Sequence, residues 1–186
     1  MDFKFIIVTP QKRDKDINKI IEYIELKNDN FIVAKKFITN EYYKDTENNA
    51  HLYYLENSTI STSLKNNSIL YISSDEENII GMTMDEFYNS NILGMSLADF
   101  NNISSNFLNS NKDNFIIVWL DTKYHLDSNT LNKDINEANY LFNKINEFQL
   151  KYIYLLDENY EMISDIIIDY YKGNDEERNN ILNEYS

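Results

Sequence analysis

The sequence predicts an α/β fold, a parallel sheet in three layers flanked by helices, with a small β-rich insert. Three observations predict it. Apolar runs alternate with helical spacings along most of the 186 residues, the pattern of βα units. Two runs, Phe3 to Val8 and Phe115 to Leu120, are almost unbroken, as strands covered on both faces are. Between His51 and Met82 short apolar runs succeed one another and break the alternation. That break marks the insert. The chain reads as one domain over residues 1–186, with the insert at 40–91.

Phe3 to Val8 is the first strand. A polar turn from Thr9 to Asp16 follows, then a helix to Leu26 whose Ile17, Ile20, Ile21 and Ile24 share one face. Phe31 to Ala34 opens a second strand that ends near Thr39. His51 to Leu55 and Ile69 to Ser73 are further strands, and Asn78 to Met82 is a short one that turns at Gly81. The Asn/Ser-rich stretches Asn57 to Ser68 and Ser104 to Asn114 read as loops or helix ends. Met84 to Tyr88 is a short helix, Ile92 to Leu97 a strand, and Phe100 to Leu108 a helix behind it. After the strand Phe115 to Leu120 comes a long helix, Asn132 to Leu150, with Ala138, Leu141, Phe142 and Ile145 inward. Tyr152 to Leu156 is the last strand. Tyr160 to Tyr171 is the last long helix, stopped at Gly173. Asp175 to Tyr185 is a short acidic helix or a frayed tail.

Composition narrows the function. The formal net charge of −14 argues against a broad basic face for nucleic acid or anionic membranes. There is no cysteine, so disulfides and thiolate metal sites are excluded. No apolar run approaches the length of a membrane span, and the N-terminus lacks the layout of a signal peptide. A cytoplasmic protein is expected. His51 and His125 lie far apart without metal-ligand spacing. Ser73 to Glu77 reads as an acidic turn or a weak cation site. No nucleophile elbow is present.

Four segments carry a family resemblance: Ile6-Ile7-Val8 with Thr9-Pro10 and Lys15-Asp16; Val33 to Asn40; Thr46-Glu47-Asn48 to Leu52; and Ile79-Ile80-Gly81-Met82. In that order and spacing the chain resembles the guanylate-kinase group of P-loop kinases, and within it most the ribose-bisphosphate phosphokinases. That family has strand, Gly-Pro and a loop ending Gly-Lys-Asp or Gly-Lys-Ser, then Ala-His-Arg-Tyr-Ile-Thr-Arg, Gly-Glu-Asn and Tyr-Tyr-Gly-Val. The resemblance implies a P-loop for a donor triphosphate, an insert that grips the acceptor, and an arginine-bearing lid.

Position by position, the loop departs from the family. The glycines of a Walker A loop let backbone N–H groups turn onto phosphate oxygens. Here Thr9 replaces the first and Asp14 the second, and Lys12 stands where the family the chain resembles commonly has an extra glycine. Lys15 keeps its type, and Asp16 matches the Lys-Asp variant. Asp14 and Asp16 also suit a helix N-terminus through capping and the dipole. Thr9, Pro10, Asp14, Lys15 and Asp16 are thus the remnant of a phosphate loop. Phosphoryl transfer leans on arginine forks, yet the chain has only Arg13 and Arg178. The lid expected around Leu126 to Ala138 offers Lys133 beside Asp127, Asp134 and Glu137.

On the acceptor side, Asn40 stands where the family has arginine, and Ile80 replaces a tyrosine. Lys35 and Lys36 are candidates for an anion contact, or solvated surface lysines. Glu47 keeps the family type and is a contact to a base or sugar hydroxyl, or an exposed turn carboxylate. Lys35, Lys36, Asn40, Glu47 and Gly81 define a ligand groove, with Tyr42, Tyr43, Tyr53 and Tyr54 as further lining. The leading expectation is a catalytically inactive kinase-like protein, kept as a binding or regulatory module for a protein or a small anionic ligand, with no cofactor. Under the alternative it is a kinase that uses ATP and magnesium on a sugar phosphate or nucleoside monophosphate. A third reading is an interaction protein that assembles through an edge strand.

Overall fold

The computed structural model describes residues 4–10, 14–44, 51–74, 78–121, 128–156 and 159–186, with backbone only at 14–15 and 128–134. The elements run β1 (Lys4–Thr9), α1 (Asp14–Lys27), β2 (Lys36–Ile38), β3 (Leu52–Tyr54), α2 (Asn57–Lys65), β4 (Ile69–Ser74), β5 (Ile79–Thr83), α3 (Met84–Asn89) and β6 (Ile92–Ser96). They continue with α4 (Leu97–Asn101), α5 (Ser105–Asn111), β7 (Phe115–Leu120), α6 (Ser128–Phe148), β8 (Tyr152–Leu155), α7 (Tyr160–Lys172) and α8 (Asp175–Tyr185). A parallel sheet in the order β6-β1-β7-β8 is the centre. Val33 bridges Ile92 in parallel beyond β6. A second, mixed sheet has the order β3-β2-β5-β4, and its β2 lies before residue 40, where the β-rich insert is expected to begin.

The central strands are buried on both faces, so they read as continuous apolar runs rather than alternations. Phe5, Ile7, Val118, Ile153 and Leu155 pack against α1 and α7 on one face. Ile6, Val8, Leu93, Ile117 and Trp119 face the other layer, where Leu141 and Ile145 of α6 and Phe107 and Leu108 of α5 close the core. The helical stripe Ile17, Ile20, Ile21 and Ile24 is buried as its spacing predicts. Lys27 at the end of α1 pairs with Glu161 and Asp165 of α7, at 3.2 and 2.7 Å. α8 is a formed helix, opened by an Asn174–Glu177 capping box.

Several expectations from the sequence are corrected. The run from Phe31 to Thr39 is not one strand. Val33 touches the central sheet, while Lys36–Ile38 belongs to the second. Asn57–Lys65 is a whole helix rather than a loop or a helix end; Ser61 and Thr62 hydroxyls donate back to the Asn57 and Ser58 carbonyls, and Ile60 is buried. Burial of one apolar residue outweighs a composition that favours turns. The helix expected at Phe100 to Leu108 is two helices, because Ser104 caps a new one by accepting from the Phe107 N–H. β5 does not turn at Gly81 but runs on to Thr83, and no described glycine has a positive φ. Phe142 faces outward, 47% exposed. Lys144 turns inward instead, and its ammonium donates to the carbonyls of Asn101 and Ile103 at 2.8 and 2.9 Å. Those carbonyls lie where α4 ends, and a cation suits a helix C-terminus.

Gly94 in β6 is needed for close approach. A Cβ there would sit 2.0 Å from Cγ2 of Ile17, so α1 rests directly on the strand backbone. Gly94→Ala is expected to cost about 1–3 kcal/mol by overpacking, read as a lower urea midpoint with unchanged slope. A wild-type midpoint would mean that Ile17 swings aside freely.

Candidate functional site at the carboxyl edge of the central sheet

In open α/β sheets, ligands bind outside the carboxyl ends of the strands. Here that edge is formed by Thr9, Ser96, Asp121 and Leu155, at or just past the ends of β1, β6, β7 and β8. Thr9 ends β1 with its side chain wholly buried, and its Oγ1 has no hydrogen-bond partner among the described residues. Pro10 is also buried. α1 begins at Asp14, so Asp14 and Lys15 form its first turn; their side chains lie outside the described residues. Asp16 in the same turn accepts a hydrogen bond from the Tyr160 hydroxyl at 2.7 Å. That bond ties the start of α1 to the start of α7. Lys19 lies over the Tyr160 ring at 4.9 Å.

A second polar group stands one strand further on. The Tyr154 hydroxyl donates to Asp121 Oδ2 at 2.9 Å, and the Tyr154 ring meets Trp119 edge-on at 5.1 Å. Trp119 Nε1 has no partner among the described residues. Burial, the Asp121 hydrogen bond and the Asp121 charge together push the Tyr154 hydroxyl up to about 12. A raised phenol favours the neutral form in the folded state. Its stabilisation is therefore complete below the ordinary value of 10.0 and is lost as pH rises through about 12. The stability advantage of wild type over Tyr154→Phe should shrink across that window in urea unfolding. Parallel curves for the two proteins would show that the pair is not coupled.

The described residues expected to line a ligand groove lie on or beside the second sheet. Lys35 is exposed, and its backbone N–H donates to Glu86 Oε2 at 3.0 Å. Lys36 starts β2 opposite Leu52. Asn40 caps a short 3-10 turn at Glu41–Tyr43 by accepting from the Tyr42 N–H at 3.0 Å. Gly81 pairs with Phe37 across β2 and β5. A Cβ on it would lie 2.5 Å from Phe37 Cζ and 2.6 Å from the Tyr71 carbonyl oxygen, so close packing accounts for the glycine. Tyr42 is 76% exposed and meets Tyr43 edge-on, while Lys44 lies over Tyr54. Tyr53 packs edge-on against Phe37, and burial raises its hydroxyl. Glu47, Lys12, Arg13 and His125 lie outside the described residues, as do the side chains at 128–134. His51 is half-buried, and its backbone carbonyl accepts from the Lys36 N–H.

Arg178 is placed elsewhere. Its Nε and Nη2 donate to the carbonyls of Tyr170 and Tyr171 at 3.0 and 3.1 Å, where α7 ends. Tyr170 packs on Phe5 at the start of β1, so Arg178 sits at the opposite edge of the sheet from Thr9. Sequence reading missed Tyr160, Tyr154 and Asp121. Asp121 had a signal, since it directly follows the strongest apolar run. Tyr160 had none, being 144 positions from Asp16.

Among the described residues no group of three or more metal-ligating side chains occurs, and no helix is long and apolar enough to cross a membrane. The fold is similar to that of a guanylate kinase. The crystal structure of guanylate kinase from Anaplasma phagocytophilum matches it with a TM-score of 0.54, over 91% of this chain and 84% of that one. The two sequences are 12% identical, so the likeness concerns the fold. No protein-family model matches the sequence, and no curated protein does.

Proposed function

We propose that this chain is a guanylate-kinase-like protein that does not transfer phosphate and serves as a binding or regulatory module. The position of Arg178 carries the reading. A transferring phosphoryl group is stabilised by converging cations and N–H donors. Arg178, the one arginine among the described residues, is folded over the end of α7 at the far edge of the sheet. At the carboxyl edge the described charged groups include Asp16 and Asp121, each accepting from a tyrosine. Carboxylates repel a polyphosphate, and the net charge of −14 adds to this. Thr9 presents a buried side chain where the family loop has glycine. These groups speak against a bound donor polyphosphate, so no transfer step is derived.

One observation favours the rival reading of an active kinase. α1 still starts within a few residues of β1, with Lys15 in its first turn, and a helix N-terminus attracts anions. That reading would employ ATP and magnesium, with a sugar phosphate or nucleoside monophosphate as acceptor. Calorimetry with ATP or GTP plus magnesium, and phosphate transfer assayed on a panel of both acceptor types, separates the two. The expected result is no heat at millimolar nucleotide and no transfer. Turnover that Lys15→Ala abolishes in a folded protein would overturn the proposal.

A further inference from the structure

Among the described strands the second sheet has two edges, β3 and β4, and β4 is the longer. β4 pairs with β5 and with no other described strand. Its free side borders a groove of about 820 Å3 whose far wall is α5 and the turn before it. Natural edge strands are usually guarded by charges, proline or a covering element. Ile69–Ser74 reads Ile-Leu-Tyr-Ile-Ser-Ser and carries neither charge nor proline.

One contact shows what this edge accepts. The side-chain amide of Asn102 donates to the Ile72 carbonyl at 3.3 Å, so that carbonyl faces away from β5. The N–H and C=O of one strand residue point to the same side, so the Ile72 N–H faces the groove as well. The groove therefore offers the Ile72 N–H as a donor, and a carbonyl with a second lone pair beyond its bond from Asn102. None of the described residues that line it is charged, although the chain carries 48 formally charged side chains, 17 basic and 31 acidic. Asn67, Asn106 and Ser110 supply neutral hydrogen-bonding groups. Leu64 and Tyr88, 47% and 56% exposed, supply apolar surface at its rim.

We infer that β4 and the groove beside α5 bind an uncharged, extended peptide by strand addition. Main-chain hydrogen bonds to Ile72 give the register, and alternate side chains of the peptide enter between β4 and α5. The uncharged lining selects against charged segments, which would lose hydration without a counter-ion. None of the lining residues belongs to the Thr9–Asp16 turn, so the inference is independent of whether the chain transfers phosphate.

The probe is an N-acetylated, C-amidated peptide of alternating valine and threonine, titrated to millimolar concentration into the full chain labelled with 15N. Saturable shifts are expected at Ile69–Ser74, Asn102 and α5. The same peptide with alternate backbone nitrogens methylated should give none. Ile72→Pro removes an outward donor without touching the ladder to β5, a place where edge strands tolerate proline; it should abolish binding. Ser110→Lys is an exposed change that leaves the backbone intact, and it should weaken binding by about tenfold or more. The inference fails if no saturable shift appears, if the methylated peptide binds equally, or if the shifts map elsewhere. It also fails if β4 amides broaden with protein concentration alone, since a second copy of the chain would then fill the edge.

Discussion

Phe5→Ala is expected to lower the unfolding free energy by about 3–5 kcal/mol, the cost of deleting a large buried ring and leaving its cavity. Phe5 is wholly buried near the start of β1. Its ring meets Tyr170 edge-on at 5.9 Å and lies 6.0 Å from Phe31 and 6.4 Å from Tyr171. Those partners come from α7 and from the segment after α1. One side chain therefore joins the first strand to two other parts of the layer. The surrounding rings cannot collapse into the space without moving α7. Domains are stable by only about 5–15 kcal/mol, so the variant should be marginal at room temperature. Urea unfolding of the variant is the check. A loss below about 1 kcal/mol would mean that the ring cluster repacks, contrary to the partial relaxation usual in cores.

Arg178→Ala is expected to cost about 2–3 kcal/mol, because hydrogen bonds to a charged group contribute about 1.5–3 kcal/mol each and the exposed part of that gain is recovered by water. The guanidinium reaches two carbonyls at the end of α7 and holds the first turn of α8 against it. Its pair with Asp175 at 3.7 Å involves a carboxylate that is 99% exposed and adds little. Arg178→Lys should recover less than half of the loss, since the compact ammonium lacks the planar fork whose Nε and Nη2 reach the two carbonyls. This prediction bears on function. A wild-type midpoint for Arg178→Ala together with lost nucleotide binding would place the arginine in a catalytic role and overturn the proposed reading.

The sequence made the fold class legible for a physical reason. Burial on both faces forces continuous apolar runs, and Phe115–Leu120 shows this most clearly, with all six residues buried. The helix stripes of α1 and α7 follow from the same need to cover the sheet. The candidate site was legible only in part. The strand, turn and helix around Thr9 and Lys15 could be read, because they are contiguous. The roles of the polar residues there could not. Tyr160 and Tyr154 act on carboxylates contributed by other elements, and no local pattern encodes such a pairing.

Composition misled at α2, where hydroxyl and amide side chains mask an amphipathic turn around Ile60. Periodicity misled at α6, since Phe142 and Lys144 both fit an inward face on spacing alone. The carbonyls of Asn101 and Ile103 draw Lys144 in. A lysine whose charge is held by helix-end carbonyls has no signature in its neighbours.

By itself, then, the sequence determined the layered α/β class, the order of most strands and helices, and the departure of the first turn from a glycine-rich loop. These depend on local burial patterns and residue types. Only the tertiary structure decided that the run after Phe31 is shared between two sheets, that Gly81 serves packing rather than a turn, and that Arg178 caps a helix far from Thr9. It alone left β4 as an edge facing an uncharged groove. Each of those outcomes rests on contacts between residues distant along the chain, and such contacts are set by how the layers meet.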